Sequence, residues 1–294
     1  MTQITASLVK ELRQRTGLGM MECKKALTET EGDLVKAEDL MRIKSGSKAN
    51  KVSGRIAAEG AIAISISADA KQGAIVEVNC ETDFVGKDVS FLRFINNVAE
   101  AVNSTGEVNL TAISEQKLAQ GETVEEVRQA LIMKLGENIT LRRVRKFDAK
   151  GSLSFYLHGN RIGSLVDVVN GSAELGKDLA MHIAAAKPVA LSSKDVDDNV
   201  LDREREIAKA RAIESGKPEN IVEKIVEGSV KKYLSEVTLL GQTFVKDDKK
   251  SVEKLLNETQ SSVDSFALFV VGEGIEKKVD DFAAEVAAQM AKKS

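Results

Sequence analysis

The side chains with chemical potential gather around Cys80-Glu81-Thr82-Asp83-Phe84-Val85, and elsewhere they are sparse. Cys80 supplies a thiol, but thiol chemistry runs through the thiolate, and the neighbouring Glu81 and Asp83 carboxylates oppose its formation. A small apolar residue closing a buried strand accounts for Cys80 better than a nucleophile does. Asp83 and Asp88 offer oxygens to a hard cation, yet two carboxylates in a short loop more commonly face water. His158 and His182 stand 24 positions apart with no Cys-x-x-Cys beside them, so no zinc site is expected. The phosphate-binding loop Gly-x-x-x-x-Gly-Lys-Ser/Thr, the dinucleotide fingerprint and the Gly-x-Ser-x-Gly elbow are absent as well. The expectation is a protein without catalytic residues, metal or cofactor.

Phe84 admits two readings. It is either a core residue capping a strand or an aromatic presented beside a carboxylate, where a loop leads into a helix, as an interface anchor. Both stay open on the residues alone.

The elements that would position this loop emerge from length and patterning. A chain of 294 residues exceeds the usual single core and implies two or more structural units. The 42 Lys and Arg residues against 45 Asp and Glu give a net charge of -3, with none of the bulk basicity that neutralises phosphate backbones. Nine Phe, two Tyr and no Trp leave few stacking platforms, so nucleic acid is not expected as a partner. No apolar run approaches the roughly 20 residues that span a bilayer. The N-terminus lacks the basic-then-apolar layout of a secretory signal, and Cys23 and Cys80 lie far apart, which together predict a reducing, cytoplasmic setting with free thiols.

Over 1–45, apolar residues at helical spacing predict three short helices, with Gly17 and Gly19 at the first break and Asp33 as an N-cap for the third. The basic, small-residue stretch over 46–56 reads as a flexible linker. Ala61–Ile66 and Gly73–Val78 read as paired strands, Phe91–Val102 and Val124–Leu135 as helices, and Ile139–Val144 as a third strand, making a subdomain over 57–147. Residues 192–234 read as an antiparallel helical hairpin turning at Ser215-Gly216-Lys217-Pro218. That hairpin interrupts a second subdomain over 148–191 and 235–271, whose later strands are placed at Ser235–Phe244 and Ser265–Val271. A final amphipathic helix carries Ile275, Val279, Phe282, Ala283 and Val286 on one face within 272–294.

An internal repeat ties the two subdomains together. Gly73 to Asp88 lies over Gly163 to Asp178 without a gap, matching Gly73 to Gly163, Val76 to Val166, Val78 to Val168 and Gly86-Lys87-Asp88 to Gly176-Lys177-Asp178. The copies differ at the loop, where Glu81-Thr82-Asp83-Phe84-Val85 faces Gly171-Ser172-Ala173-Glu174-Leu175, so only the first copy carries an aromatic.

Thr82-Asp83-Phe84-Val85 resembles the Thr-Asp-Phe-Val hallmark of the bacterial elongation factor Ts family. Leu12-Arg13-Gln14-Arg15-Thr16-Gly17 followed by Met20-Met21-Glu22-Cys23-Lys24-Lys25-Ala26-Leu27 resembles the family's N-terminal signature. Gly136-Glu137-Asn138-Ile139, Met181-His182-Ile183-Ala184 and Ser215-Gly216-Lys217-Pro218 are similar to further family segments. The resemblance implies an α+β chain: a ubiquitin-associated-like three-helix domain, a core of two related subdomains, a helical-hairpin insertion and a C-terminal helical module.

In function, the resemblance implies a guanine-nucleotide exchange factor for elongation factor Tu, binding its GDP-bound and nucleotide-free forms and performing no covalent chemistry. It assigns intrusion near the partner's Mg²⁺ site to Asp83 and Phe84, with Thr82 and Val85 holding the loop's shape. It also maps partner contacts onto Met20, Lys24, Leu135, His158 and Val245, and it leaves room for a homodimer or 2:2 assembly through the hairpin. His182, on an apolar helix face, is expected to be structural. A scaffold using the N-terminal bundle and hairpin, and a thiol enzyme at Cys80, are the competing classes.

Overall fold

The computed structural model describes residues 4–216 and 218–276. Three helices open the chain: α1 (Ala6–Thr16), α2 (Met20–Glu29) and α3 (Leu34–Val52). α1 stops at Gly17, whose left-handed φ of 68° a side chain would resist, and Asp33 caps α3 by accepting from the Lys36 amide. Val9, Leu12, Cys23, Leu27, Ala37 and Met41 form the bundle's small core, which borrows Met133 from the next unit.

No flexible linker separates that bundle from the first sheet, because α3 continues to Val52 through most of the stretch expected to be mobile. The helix's inner stripe there is Met41, Ser45, Ala49 and Val52, all buried. These mostly small side chains let α3 pack closely, a stripe that a search for large apolar residues overlooks. Three basic residues here are also engaged: Lys44 with Glu29, Lys48 with Glu22 and the Met133 carbonyl, and Arg55 with Glu81.

β1 (Glu59–Ile66), β2 (Gln72–Cys80), the single turn α4 (Asp83–Gly86), α5 (Val89–Thr105), α6 (Leu110–Glu115), α7 (Val124–Leu135) and β3 (Thr140–Asp148) build the first subdomain. Its antiparallel sheet runs β1-β2-β3. Val76 and Val78 meet Phe91, Phe94, Ile95 and Val98 of α5 on one face, in the core that also takes Ala49 and Val52 of α3.

The second subdomain contains β4 (Ser152–His158), β5 (Ile162–Val169), α8 (Ala173–Ala186), the hairpin α9 (Asp198–Glu214) and α10 (Glu219–Val237), then β6 (Thr243–Phe244), β7 (Asp247–Ser251), α11 (Val252–Glu258) and β8 (Ser262–Val270). Its main sheet runs β4-β5-β8, again antiparallel. A strand over Ser235–Phe244 does not form. α10 persists to Val237, Thr238 makes only an isolated bridge to Ala190, Leu239 and Leu240 donate to the Ala190 and Leu191 carbonyls, and only Thr243–Phe244 forms a strand. Burial of Leu239 beside Val166, Leu179 and Ile183 satisfies that apolar run without a strand of its own. The edge strand β4, whose Leu153, Phe155 and Leu157 alternate with Ser154, Tyr156 and His158, and the short α6 are further elements that the sequence reading passed over. Apart from Ile275, the face expected for the last helix lies outside the described residues.

The two sheets pack against each other through Ile62, Ile75, Phe147, Leu153, Leu165 and Phe269. The matched glycines of the repeat lie at this contact: a Cβ on Gly73 would come within 2.7 Å of Leu153, and one on Gly163 within 2.6 Å of Ile62. The repeat extends to irregularities, since the pairing register shifts at Glu77/Val78 in β2 and at Asp167/Val168 in β5, again 90 positions apart. Both acids are buried and satisfied differently. Asp167 accepts from the Lys150 and Gly151 amides, whereas Glu77 binds Arg142 at 2.9 Å, Arg143 at 2.6 Å and the Gly272 amide at 2.8 Å, tying the end of the second subdomain to the first.

Candidate functional site

β2 ends at Cys80, and the chain turns out of the sheet at Glu81 and Thr82. Thr82 is the N-cap of α4, its hydroxyl accepting from the Val85 amide at 3.4 Å. Four residues make too short a helix to be stable by itself, so the turn depends on its surroundings. Val85 is 7% exposed and joins the first core, and Gly86 presses on Gly60, where a Cβ would lie 3.0 Å from the Gly60 carbonyl oxygen. Gly60 itself has a φ of 141° and no room for a side chain, with Val78 O 2.2 Å from an ideal Cβ. The inner half of the turn is thus seated against β1, and the outer half projects.

Phe84 is on the outer half and is 82% exposed. This excludes its reading as a strand-capping core residue. Beside it Asp83 is half-buried, its side chain 47% exposed, and the Lys87 ammonium, 2.6 Å from Oδ2, holds its carboxyl below the usual carboxylate range. The site therefore offers an anionic carboxylate next to a water-exposed aromatic ring, an arrangement suited to insertion into a partner rather than to bond chemistry.

The thiol at the root of the turn is inert. Cys80 is buried and donates to the Thr82 carbonyl at 3.1 Å, and burial, followed by the charges of Glu137 and Glu59, pushes it up to about 12. The direction is the one expected from the sequence, but the agents are burial and two acids distant in sequence rather than Glu81 and Asp83.

The repeat explains why only one copy projects an aromatic. Thr82 and Ser172 cap equivalent helix starts, each accepting from the amide three residues on, so Phe84 and Glu174 occupy the same outward position. In the second copy the helix α8 runs straight through Gly176-Lys177-Asp178. In the first it stops after one turn at Lys87, and Asp88 restarts it as the N-cap of α5.

A residue outside the expected contact set completes the site. Glu137, just after the α7 C-cap Gly136, accepts from the Glu81 amide at 3.1 Å, the Thr82 amide at 3.0 Å and the Thr82 hydroxyl at 2.6 Å. Glu81 returns the contact by accepting from the Asn138 amide at 2.6 Å. Its one signal in the sequence is its place in the family-like segment Gly136-Glu137-Asn138-Ile139.

Leu135, half-buried at the end of α7, lies next to this clamp. Met20, 58% exposed, and the exposed Lys24 are on α2, joined to α7 through Glu22–Lys48 and the Lys48 bond to Met133. His158 and Val245 belong to the second subdomain. His158 is exposed at the end of β4 with its ring 6.3 Å from that of Tyr156, and Val245 is 46% exposed after β6. Among the described residues no hydrogen bond or ion pair joins either of them to the Thr82–Val85 turn. His182 is fully buried, and desolvation lowers its pKa. Gln242 donates to the Ala186 and Glu236 carbonyls, so its oxygen takes Nε2–H of His182, leaving Nδ1 to accept from the Val245 amide at 3.3 Å. The histidine is structural, and what it supports is the backbone at Val245.

Comparison with known proteins decides the family. The family model described as "Elongation factor TS" matches residues 81–273. A curated relative from Nitrosomonas eutropha named "Elongation factor Ts" is 59% identical over 290 residues, covering 99% of each chain. Relatives of the same name from Aromatoleum aromaticum (57% over 292 residues, 99% of this chain and 98% of that one) and Nitrosospira multiformis (55% over 293 residues, 99% and 97%) match equally broadly.

The chain belongs to the elongation factor Ts family.

The elongation factor Ts match begins at Glu81, the residue that opens the projecting turn, and runs to Glu273 beside the Glu77 network. The α1–α3 bundle lies before that match but within the full-length similarity to the elongation factor Ts relatives. Among the described residues, no group of three His, Cys, Asp or Glu side chains could hold a metal, and no helix is long and apolar enough to cross a membrane.

Proposed function

We propose that this chain is the guanine-nucleotide exchange factor of elongation factor Tu in translation elongation, and that it releases GDP by inserting Phe84, with Asp83 beside it, near the partner's Mg²⁺ and phosphate site. Membership of the elongation factor Ts family supports the exchange role and a protein that makes and breaks no bonds. The observation that carries the insertion step is the exposure of Phe84 on a turn whose other half is anchored in the core.

A GTPase grips GDP through Mg²⁺, backbone donors and a lysine at the phosphates, so disturbing the cation's surroundings removes much of the hold. Burying the exposed ring contributes on the order of 2 kcal/mol toward distorting the partner. Asp83 stays ionised because Lys87 supports it, and it competes for or misorients the cation's ligands. Met20, Lys24, Leu135, His158 and Val245 serve in this reading as flanking contacts, consistent with the exposure of four of them. Thermodynamic linkage makes the effect reciprocal: GDP weakens this protein's binding by the factor by which this protein weakens GDP's. The complex is transient, and GTP rebinding expels the factor.

The test is release of a fluorescent GDP analogue from purified elongation factor Tu with a trace of the chain added. Substoichiometric acceleration, lost by about tenfold or more in Phe84→Ala, supports the reading. Binding to Tu that is equally tight with and without saturating GDP contradicts it.

A further inference from the structure

We propose that Glu137 is a positioning residue for exchange: its carboxylate fixes the Thr82–Val85 turn so that Phe84 and Asp83 project in one orientation. The inference rests on the exchange reading and assigns a role to a residue outside its contact set.

Three donors from the root of the turn converge on this one side chain, the Glu81 and Thr82 amides on Oε2 and the Thr82 hydroxyl on Oε1. These amides leave the sheet where β2 ends, so without Glu137 they have no other acceptor among the described residues and the turn loses its register with the sheet. The place of Glu137 is itself set by the core. Gly136 closes α7 with a φ of 81°, and Ile132 and Ile139 on either side are fully buried. The brace is double, because Glu81 accepts from the Asn138 amide and buried Asn138 donates to the Arg55 carbonyl at 2.8 Å. Residues 55, 81–82 and 137–138 thus meet in one small polar knot beneath an exposed aromatic.

The second copy of the repeat supplies the contrast. Ser172 caps α8 as Thr82 caps α4, yet among the described residues no carboxylate accepts from the Gly171 or Ser172 amides. There the helix continues for 14 residues and needs no external brace. The clamp occurs where the helix is one turn long and its exposed residue is Phe84.

A double-mutant cycle tests the role. GDP-analogue release from elongation factor Tu is measured with trace amounts of the wild-type chain, Glu137→Ala, Phe84→Ala and the double variant. Glu137→Ala alone is expected to reduce the acceleration by about tenfold, and by less than about twofold when Phe84 is already Ala, because the two act through one insertion. Glu137→Gln, which keeps an oxygen for the two amides, is expected to recover most of the activity. Full activity in Glu137→Ala while Phe84→Ala is impaired overturns the proposal, as does an undiminished loss in the Phe84→Ala background. Full activity in Phe84→Ala instead overturns the insertion reading itself. Should Glu137→Ala fail to fold, Thr82→Val, which removes the hydroxyl that Oε1 holds, is taken through the same cycle against the same expectations.

Discussion

Phe84 and Val85 are consecutive residues of one helical turn, and the first is 82% exposed while the second is 7% exposed and built into the core beneath β1 and α5. A single step along the backbone thus separates an apolar side chain that stabilises this protein from one that does not. Phe84→Ala should leave the thermal midpoint unchanged while impairing exchange. Val85→Ala should lose about 2 kcal/mol of stability from lost burial and a partly collapsed cavity. Urea titrations of both variants beside their exchange rates check the pair, and a large stability loss in Phe84→Ala would contradict the exposed position.

His182 should make stability fall in mild acid. Its folded-state pKa lies below the ordinary value of 6.5, so between the two values the unfolded chain takes up a proton that the folded chain refuses. Stability is therefore full above about 6.5 and declines as the pH drops toward the folded value. Thermal midpoints from pH 7.5 to 5 should show this decline in the wild type and a shallower one in His182→Asn, which also starts lower because Gln242 and the Val245 amide lose their partner.

Cys80 should resist alkylation. With its thiol pushed up to about 12 by burial and by Glu137 and Glu59, the thiolate is scarce at pH 8, and the sulfur is enclosed. Peptide mapping after iodoacetamide treatment should find Cys80 unmodified in the native protein and modified in urea. Rapid native labelling would reopen the thiol-enzyme class.

Glu77 should be among the least replaceable polar residues. Glu77→Ala removes the buried acceptor shared by Arg142, Arg143, Asn79 and the Gly272 amide, leaving the two arginines only their bonds to Glu273 and the Val270 carbonyl. A cost of about 3 kcal/mol is expected, at the lower end for a broken buried pair because both guanidinium groups retain some solvent contact. The urea midpoint measures it, and a change below about 1 kcal/mol would show that the network does not hold the second subdomain to the first.

Much of the fold was legible wherever a short-range rule governs. Short apolar runs on either side of a polar turn placed β1 and β2, helical spacing placed α5 and α7, and the Ser215-Gly216 turn placed the break between α9 and α10. The reading failed where packing overrode composition. Ser45, Gly46 and Ala49 look like a linker because they are small, and they are helical for the same reason, since smallness lets α3 approach α7. Leu239 and Leu240 look like a strand and instead plug a core.

For the site, the sequence by itself determined the chemistry: an aromatic beside a carboxylate, a thiol disfavoured as a nucleophile, and a repeat whose second copy lacks the ring. Side-chain type and spacing along one chain are local properties, and they suffice for the first and last of these; the thiol's direction was right, but its agents, burial and the distant Glu137 and Glu59, came only with the fold. Only the tertiary structure decided whether Phe84 faces the core or solvent, because both outcomes fit the same strand-to-helix turn. The deciding contacts come from afar: Gly60 beneath Gly86, and Glu137 across 55 positions to Thr82. Hydrogen bonds of that span leave no period in the sequence, so the residue that holds the turn became visible only when the chain was folded.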